Sequence, residues 1–442
     1  MSSEKPIKLA YGKRGLLLNP EWEWNVTVIE PEYHKGLPDE GKAIKHEINH
    51  PEGCPPLEDI VKSGMKVGII FNDITRPTPN KLIIETLITV LSGINEISII
   101  LFNALGTHRP NTDAELRSML GDYLVDNYNI VQNNAFEKST QIFIGKTSSG
   151  NQVWLNKELM SCDIRILTGF IEPHFFAGFS GGGKAIMPGM AGIETIMKNH
   201  NSQNIGDLRS SWGITKGNPI WEEVREVLSM TGKNFLLNVT LNRDKKITSV
   251  FAGDPFKAHD KGVELVRKTS MVPVSNLFDI VVTTNSGFPL DLNLYQTVKG
   301  ISAAARILKN GGAIIAAAEC WDGIPDHGLF GHLLKSFSHP SELLEEINKP
   351  EFAELDQWQA QILAQIQLKG MIYLYSENLS DEQLKMVKIK RCSDIRDQIE
   401  MLRIEKGKDA SICVIPEGPQ TIPYLLPDAD NIVTSPESHE KK

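Results

Sequence analysis

The 442 residues carry 46 Lys and Arg against 55 Asp and Glu, a formal charge of −9, which argues against the clustered positive charge that a nucleic-acid surface needs to displace phosphate counterions. With 41% hydrophobic and 23% charged residues the composition is that of an ordinary globular protein, and at roughly 150 residues per domain the length suggests two or three domains. No apolar run reaches the ~20 residues of a bilayer span, and the polar start Met1-Ser2-Ser3-Glu4-Lys5 lacks the apolar core of a secretory signal, so the expectation is a cytoplasmic protein with neither a membrane nor a nucleic acid as partner.

Along the chain, the first pattern is His46-Glu47-Ile48-Asn49-His50, two histidines one helical turn apart with a glutamate between, as in zinc hydrolases. Pro51 follows at once, and Gly53-Cys54-Pro55-Pro56 prevents a helix from continuing. The apolar run Val67 to Phe71 reads as a buried strand. The polar loop Asn72 to Pro79 follows it, and then a helix over Leu82 to Leu91 with Pro79 suited to its first turn. The same grammar returns at Ile97 to Phe102, followed by Leu105-Gly106-Thr107-His108-Arg109-Pro110 and a helix whose Thr112 and Glu115 have capping-box spacing, closed by Gly121. Thr140 to Trp154 reads as a hairpin, and Ile164 to Leu167 as a strand entering a long glycine-rich loop.

A domain boundary falls in 265–277, giving an N-terminal α/β domain over 1–272 and a C-terminal Rossmann-like α/β domain over 273–442. The second opens with a strand at Phe278 to Val282, the loop Asn285-Ser286-Gly287-Phe288-Pro289 and a helix from Leu294 to Leu308, stopped by Asn310-Gly311-Gly312 before a strand at Ala313 to Ala317. Residues 340–407 read as mostly helical, Ser411 to Ile415 as a closing strand, and Pro436 to Lys442 as a frayed tail. Alternating strands and helices at this spacing mean an α/β fold, with a mostly parallel sheet flanked by helices in each domain. In such sheets ligands bind beyond the carboxyl ends of the strands, which puts Asp73, Arg76, His108 and His174 on one crevice. The five cysteines are far apart and contain no Cys-x-x-Cys pair, so neither a disulfide framework nor a thiolate zinc site is indicated.

The glycine-rich loop contains Gly178-Phe179-Ser180-Gly181-Gly182-Gly183-Lys184-Ala185, the Gly-x4-Gly-Lys part of a phosphate loop. Ala185 stands where a hydroxyl should hold magnesium, which counts against nucleotide hydrolysis but leaves backbone N–H groups able to cradle a phosphate and Lys184 able to act as a nucleophile. His108, His174 and His200 all lie in structured contexts, and with Asp73, Arg76 and Lys184 on converging loops they favour chemistry over structural roles. In Tyr295-Gln296-Thr297-Val298-Lys299-Gly300, Gln296 and Lys299 share a helix face beside a positive helix N-terminus. Such a face suits a carboxylate.

Taken together, Asp73-Ile74-Thr75-Arg76-Pro77, Gly106-Thr107-His108-Arg109, His174 through Lys184, His200 and Tyr295 through Gly300 resemble the nickel-dependent lactate racemase family, in order and across nearly the whole chain. The resemblance implies an isomerase with its active site in the crevice between the domains. It would racemise a short 2-hydroxy acid, lactate first, by reversible hydride transfer through a 2-keto acid. It also implies a nickel-pincer nucleotide, a pyridinium mononucleotide with a thioamide and a thiocarboxylate, covalent at Lys184 and supplied by cofactor-synthesis enzymes. His200 would be the protein ligand to nickel, and His108 and His174 the paired acid/base residues. Arg76, Gln296 and Lys299 would hold the substrate carboxylate, with Trp358 closing the pocket. Asp73, in an orienting role, would complete the cofactor site with Ser180, Gly181, Gly182 and Gly183. Alternatives are a family member acting on a larger or dicarboxylic 2-hydroxy acid and, from another class, a phosphate-loop nucleotidase.

These residue types suit that chemistry. Removing the α-hydrogen of a 2-hydroxy acid as a proton makes a carbanion beside a carboxylate with no electron sink. Removing it as hydride avoids this if a base takes the hydroxyl proton, and histidine, near pKa ~6.5, can take and return one at neutral pH.

Overall fold

The structure, a computed structural model, describes residues 5–21, 23–326 and 328–426; the tail Pro436 to Lys442 lies outside them. Two six-stranded sheets form the α/β core. The first runs Ile247–Gly253, Asn234–Leu241, Ile164–Phe170, Lys66–Asn72, Ser98–Ala104, Asn129–Gln132, parallel throughout except for the edge strand Ile247–Gly253. The second runs Lys390–Arg391, Gly370–Tyr375, Leu308–Ala317, Phe278–Thr284, Ser411–Ile415, Asn25–Val28, and all its pairings are parallel.

Helices cover both faces of each sheet, so its central strands must be apolar on both sides. Ile164–Phe170 is accordingly buried at every position, its one charge satisfied where Arg165 donates to the carbonyls of Cys162 and Lys233, each at 2.9 Å. The order reverses between Lys66–Asn72 and Ile164–Phe170 in the first sheet, and between Phe278–Thr284 and Ser411–Ile415 in the second. At such switch points the loops diverge and leave a crevice.

The capping box forms, with Thr112 and Glu115 bonding reciprocally and Gly121 ending the helix at φ 80°. Gln141–Lys146 and Gln152–Asn156 make the expected hairpin. Three expectations change. The helix from Leu294 stops at Ala305, and Leu308 already belongs to the next strand. Its alanine-rich end carries no stop signal, and Ile307 and Leu308, both fully buried, suit either structure. The polar 340–407 region hides the strand Gly370–Tyr375, paired with Leu308–Ala317 along its whole length. Asn25–Val28, placed by the sequence in the first domain, adds to Ser411–Ile415 in the second sheet. Around it Leu9, Tyr11, Leu18 and Trp24 pack into the core of that sheet with Ile280 and Val414.

Candidate active site

The loops at the carboxyl ends of both sheets enclose one cavity of about 140 Å³. The first sheet gives it Asp73, Arg76 and His108 from two successive strand ends, and His174, Ser180, Gly181, Lys184 and His200 from the glycine-rich stretch and the helix after it. From the second sheet come Gln296 and Lys299, on Leu294–Ala305, and Trp358, on Gln357–Lys369. Gly182 and Gly183 do not line it. They form the back of the loop, where a Cβ on Gly182 would meet the His259 ring at 2.7 Å and one on Gly183 would meet Val224 at 3.0 Å.

The loop after Lys66–Asn72 is fixed by its own polar groups. Thr78 Oγ1 donates to Asn72 Oδ1 (2.8 Å) and Asn80 Nδ2 to the Asn72 carbonyl (2.9 Å). Thr75 Oγ1 in turn donates to Asp73 Oδ1 (2.7 Å) and accepts from Arg76 Nη1 (3.0 Å). The other Asp73 oxygen lies 2.6 Å from His108 Nδ1. An ionised carboxylate only accepts, so His108 carries a hydrogen on Nδ1. Burial would raise the Asp73 carboxyl, but the charge and hydrogen bond of His108, then Arg76 and Thr75, outweigh it and hold the group down at about 2. Asp73, grouped with the cofactor residues on sequence grounds, is placed by the structure as the partner of His108.

His174 has the opposite tautomer. The Ala177 N–H donates to its Nδ1 at 3.3 Å, which leaves the hydrogen of the neutral ring on Nε2. Burial, with the charges of Lys184, Lys299 and Arg76, pushes this imidazole well below its ordinary value. Burial first, and then Arg76, brings the Lys184 ammonium down to about 7, and the same two causes lower Lys299 well below the usual lysine range. The two amines lie against adjacent phenyl rings, Lys184 at 5.4 Å from Phe176 and Lys299 at 6.0 Å from Phe175, contacts that favour a cation electrostatically.

His200 is buried, packed edge-on against Phe176 (5.0 Å) and Trp358 (5.2 Å), with its Nδ1 lacking a hydrogen-bond partner. Burial and Lys184 keep the ring neutral, with its pKa near 3, and the neutral ring is the form that binds metals. Among the described residues no group of three His, Cys, Asp or Glu side chains could hold a metal ion. His46 and His50 stack on each other at 4.5 Å at the exposed end of Glu40–Asn49, and His50 Nδ1 meets the His46 carbonyl at 2.9 Å.

The glycine-rich loop spends its amides internally. The N–H groups of Ser180, Gly182 and Lys184 go to the Glu172 carbonyl (2.9 Å), Asn238 Oδ1 (2.8 Å) and the Gly181 carbonyl (3.2 Å). Ser180 Oγ accepts from the Glu172 N–H and donates to the Phe170 carbonyl. These groups build the turn that presents Lys184, and of the three glycine N–H groups expected around a phosphate, that of Gly182 is already engaged by Asn238. Nor is there the strand–loop–helix of a nucleotidase: a short 3₁₀ turn, Gly182–Ala185, stands where its helix would begin.

Three contributors were missed, and a buried carboxylate lies behind the loop. Asn238 holds Gly182, and His259 donates from Nε2 to the Ser180 carbonyl at 2.8 Å; both are distant in sequence from the loop they brace. Tyr295, quoted only as part of a motif, accepts at its hydroxyl from Trp358 Nε1 (2.9 Å) and so orients that indole. Glu172 is buried with one oxygen lacking a partner. Burial raises its pKa against the pull of Arg76, Lys299, Lys245 and Lys184.

Residues 11–213 match the family model described as the lactate racemase N-terminal domain, and residues 274–422 that of the lactate racemase C-terminal domain. The chain is 35% identical over 389 residues to the lactate racemase of Lactiplantibacillus plantarum, which covers 87% of this chain and 91% of that one. To the lactate racemase of Thermoanaerobacterium thermosaccharolyticum it is 32% identical over 421 residues, 94% of this chain and 98% of that one. The apoprotein structure of the lactate racemase from that organism superposes with a TM-score of 0.88 at 32% identity, covering 95% of this chain and 100% of the other. A crystal structure of a Thermotoga maritima protein shares the fold, with a TM-score of 0.70 at 18% identity over 89% of this chain and 100% of that one.

Proposed function

The chain belongs to the lactate racemase family, and on that premise we propose that it racemises a short 2-hydroxy acid, lactate first, with a nickel-pincer nucleotide covalent at Lys184. Residues 1–272 would carry the cofactor and the acid/base groups, and the C-terminal part the rest of the substrate clamp. The observation that carries the reading is the pair of histidines in opposite tautomers, His108 on Asp73 and His174 on the Ala177 N–H, lining one cavity with Arg76, Lys184 and Lys299.

The residues present fit the cofactor. The Lys184 amine is buried at the cavity and close to neutral, and the His200 imidazole is held neutral with an unpartnered nitrogen. When bound, the nickel nucleotide supplies the acceptor and the donor of a hydride. Arg76 can hold the substrate carboxylate through two N–H groups and Lys299 as a point charge, with the Gln296 amide completing the clamp. His108 takes the hydroxyl proton at Nε2, and Asp73 stabilises the imidazolium that results. His174 meets the keto oxygen with its Nε2–H and gives that proton up only as the imidazolium, so that a neutral ring is left. The incoming carboxylate offsets the cations that hold His174 neutral, which raises its proton affinity, and for the opposite enantiomer the two histidines exchange roles. The 3.3 Å contact with Ala177 is long enough for that exchange to cost little.

Chiral chromatography of either lactate enantiomer, incubated with enzyme produced beside the cofactor-synthesis enzymes, is expected to converge on equal amounts of the two; persistence of the starting enantiomer with nickel bound would refute the reading. Asp73→Asn keeps the shape of the loop but offers His108 an amide whose N–H₂ favours the wrong tautomer. A kcat loss of at least ~100-fold is expected, with KM changed far less.

A further inference from the structure

Beside the catalytic cavity, and sharing Asp73, Thr107, His108, Tyr295 and Gln296 with it, lies a second cavity of about 170 Å³. Its far wall is apolar: Phe288, Pro289, Leu292, Trp321 and Pro325. Phe288 and Trp321 stay 38% and 52% exposed there, a large aromatic area for a mouth that leads to a small polar site. The mouth offers little to a second carboxylate: the Lys13 ammonium lies over the Phe288 ring, 4.5 Å from its centroid, on the outer side of that wall. Arg109, the cation among its lining residues, is engaged by Glu115 through two hydrogen bonds of 2.9 and 2.7 Å, and Asp322 stands close by, bonded to Asn293. The surroundings of His174 are different. Its ring packs against Phe175 at 5.0 Å and Phe176 at 4.5 Å, it is buried where His108 is partly exposed, and it does not reach the mouth.

This asymmetry matters for a racemase in particular, and the argument rests on the function proposed above. The acid loses one hydride and one proton and regains both, so nothing is consumed. If the carboxylate stays clamped and the hydride leaves and returns at one fixed place, the keto acid must turn about the bond between its first two carbons. That turn exchanges the positions of the oxygen and the side chain. With the oxygen at His108, the side chain lies toward His174; with the oxygen at His174, the side chain lies toward His108 and the mouth.

The geometry points to a one-sided subsite: the apolar mouth beside His108 takes the side chain of a larger, uncharged 2-hydroxy acid in only one of its two enantiomers, while the ring wall behind His174 confines full interconversion to side chains close to methyl in size. Larger apolar 2-hydroxy acids are then enantioselective inhibitors of lactate racemisation, and dicarboxylic ones are poor ligands.

The test uses nickel-loaded enzyme racemising lactate in the presence of each pure enantiomer of 2-hydroxyisocaproate and of 3-phenyllactate. One enantiomer of each is expected to inhibit at least ~10-fold more tightly than the other, since each methylene buried is worth about fourfold. Both acids should be racemised at least ~100-fold more slowly than lactate. Phe288→Ala and Trp321→Ala should weaken the tighter enantiomer severalfold and leave the other where it was. Equal inhibition by the two enantiomers, or racemisation of the larger acids at the rate of lactate, would overturn the subsite alone. Failure to interconvert lactate itself would remove the underlying function, and the subsite with it.

Discussion

His108→Ala and His174→Ala are each expected to lower lactate racemisation by ~10²–10⁴-fold, the range of a lost general acid or base, while the protein still takes up its cofactor. Both losses follow from the exchange of roles, because every turnover needs a proton taken on one side and given back on the other. The two variants should not look alike in other respects. His108→Ala leaves Asp73, fully buried and held ionised chiefly by His108, without its main partner, which costs stability as well as rate; an uncompensated buried charge is typically worth ~3–5 kcal/mol. His174→Ala removes a ring already pushed toward neutrality by burial and three cations, and so leaves no orphaned charge. Thermal unfolding should therefore separate the variants even though chiral assays do not. Normal racemisation by both would sink the two-base scheme.

Lys184→Ala is expected to purify at the mass of the bare chain, with the cofactor increment absent and racemisation abolished. The same lysine gives a pH test. Attachment needs the neutral amine, and its pKa lies at about 7, so the neutral fraction rises about tenfold between pH 6 and pH 8. Covalent incorporation, followed by intact-protein mass, should rise by that factor and then level off. An ordinary exposed lysine would still be climbing tenfold per unit above pH 8. A covalent adduct of normal mass on Lys184→Ala would place the attachment elsewhere.

Much of the site was readable because its residues come in compact motifs at strand ends. Asp73 to Pro77, Gly106 to Arg109 and His174 to Lys184 each follow an apolar run that can only be a buried strand, and the rule for parallel sheets brings such loops together. What stayed hidden was support supplied from afar. Asn238 and His259 look like any polar residues of a strand and a helix, yet one holds the Gly182 amide and the other the Ser180 carbonyl. The glycine run suggests amides free for a phosphate, but the one on Gly182 is taken by the distant Asn238. The strand Gly370–Tyr375 was masked by polar helices on either side, and Asn25–Val28 by being short and largely exposed. Both are recognisable only through their partners, which lie far off in sequence.

The pairing of Asn25–Val28 with Ser411–Ile415 bears on how the chain is made. Trp24 donates to Glu400 across 376 positions, so the opening segment has to wait for almost the entire polypeptide before its partners exist. The sheet built from Lys66 through Gly253 needs nothing from beyond itself to pair its strands, and can close while synthesis continues; domains commonly fold in this vectorial way. The second sheet gains its edge strand only at the end, through contacts whose long loop closure makes them slow to form. The clamp of Gln296 and Lys299 sits on that late-finishing half. The last strands to be synthesised therefore decide when the carboxylate-binding side of the crevice is complete.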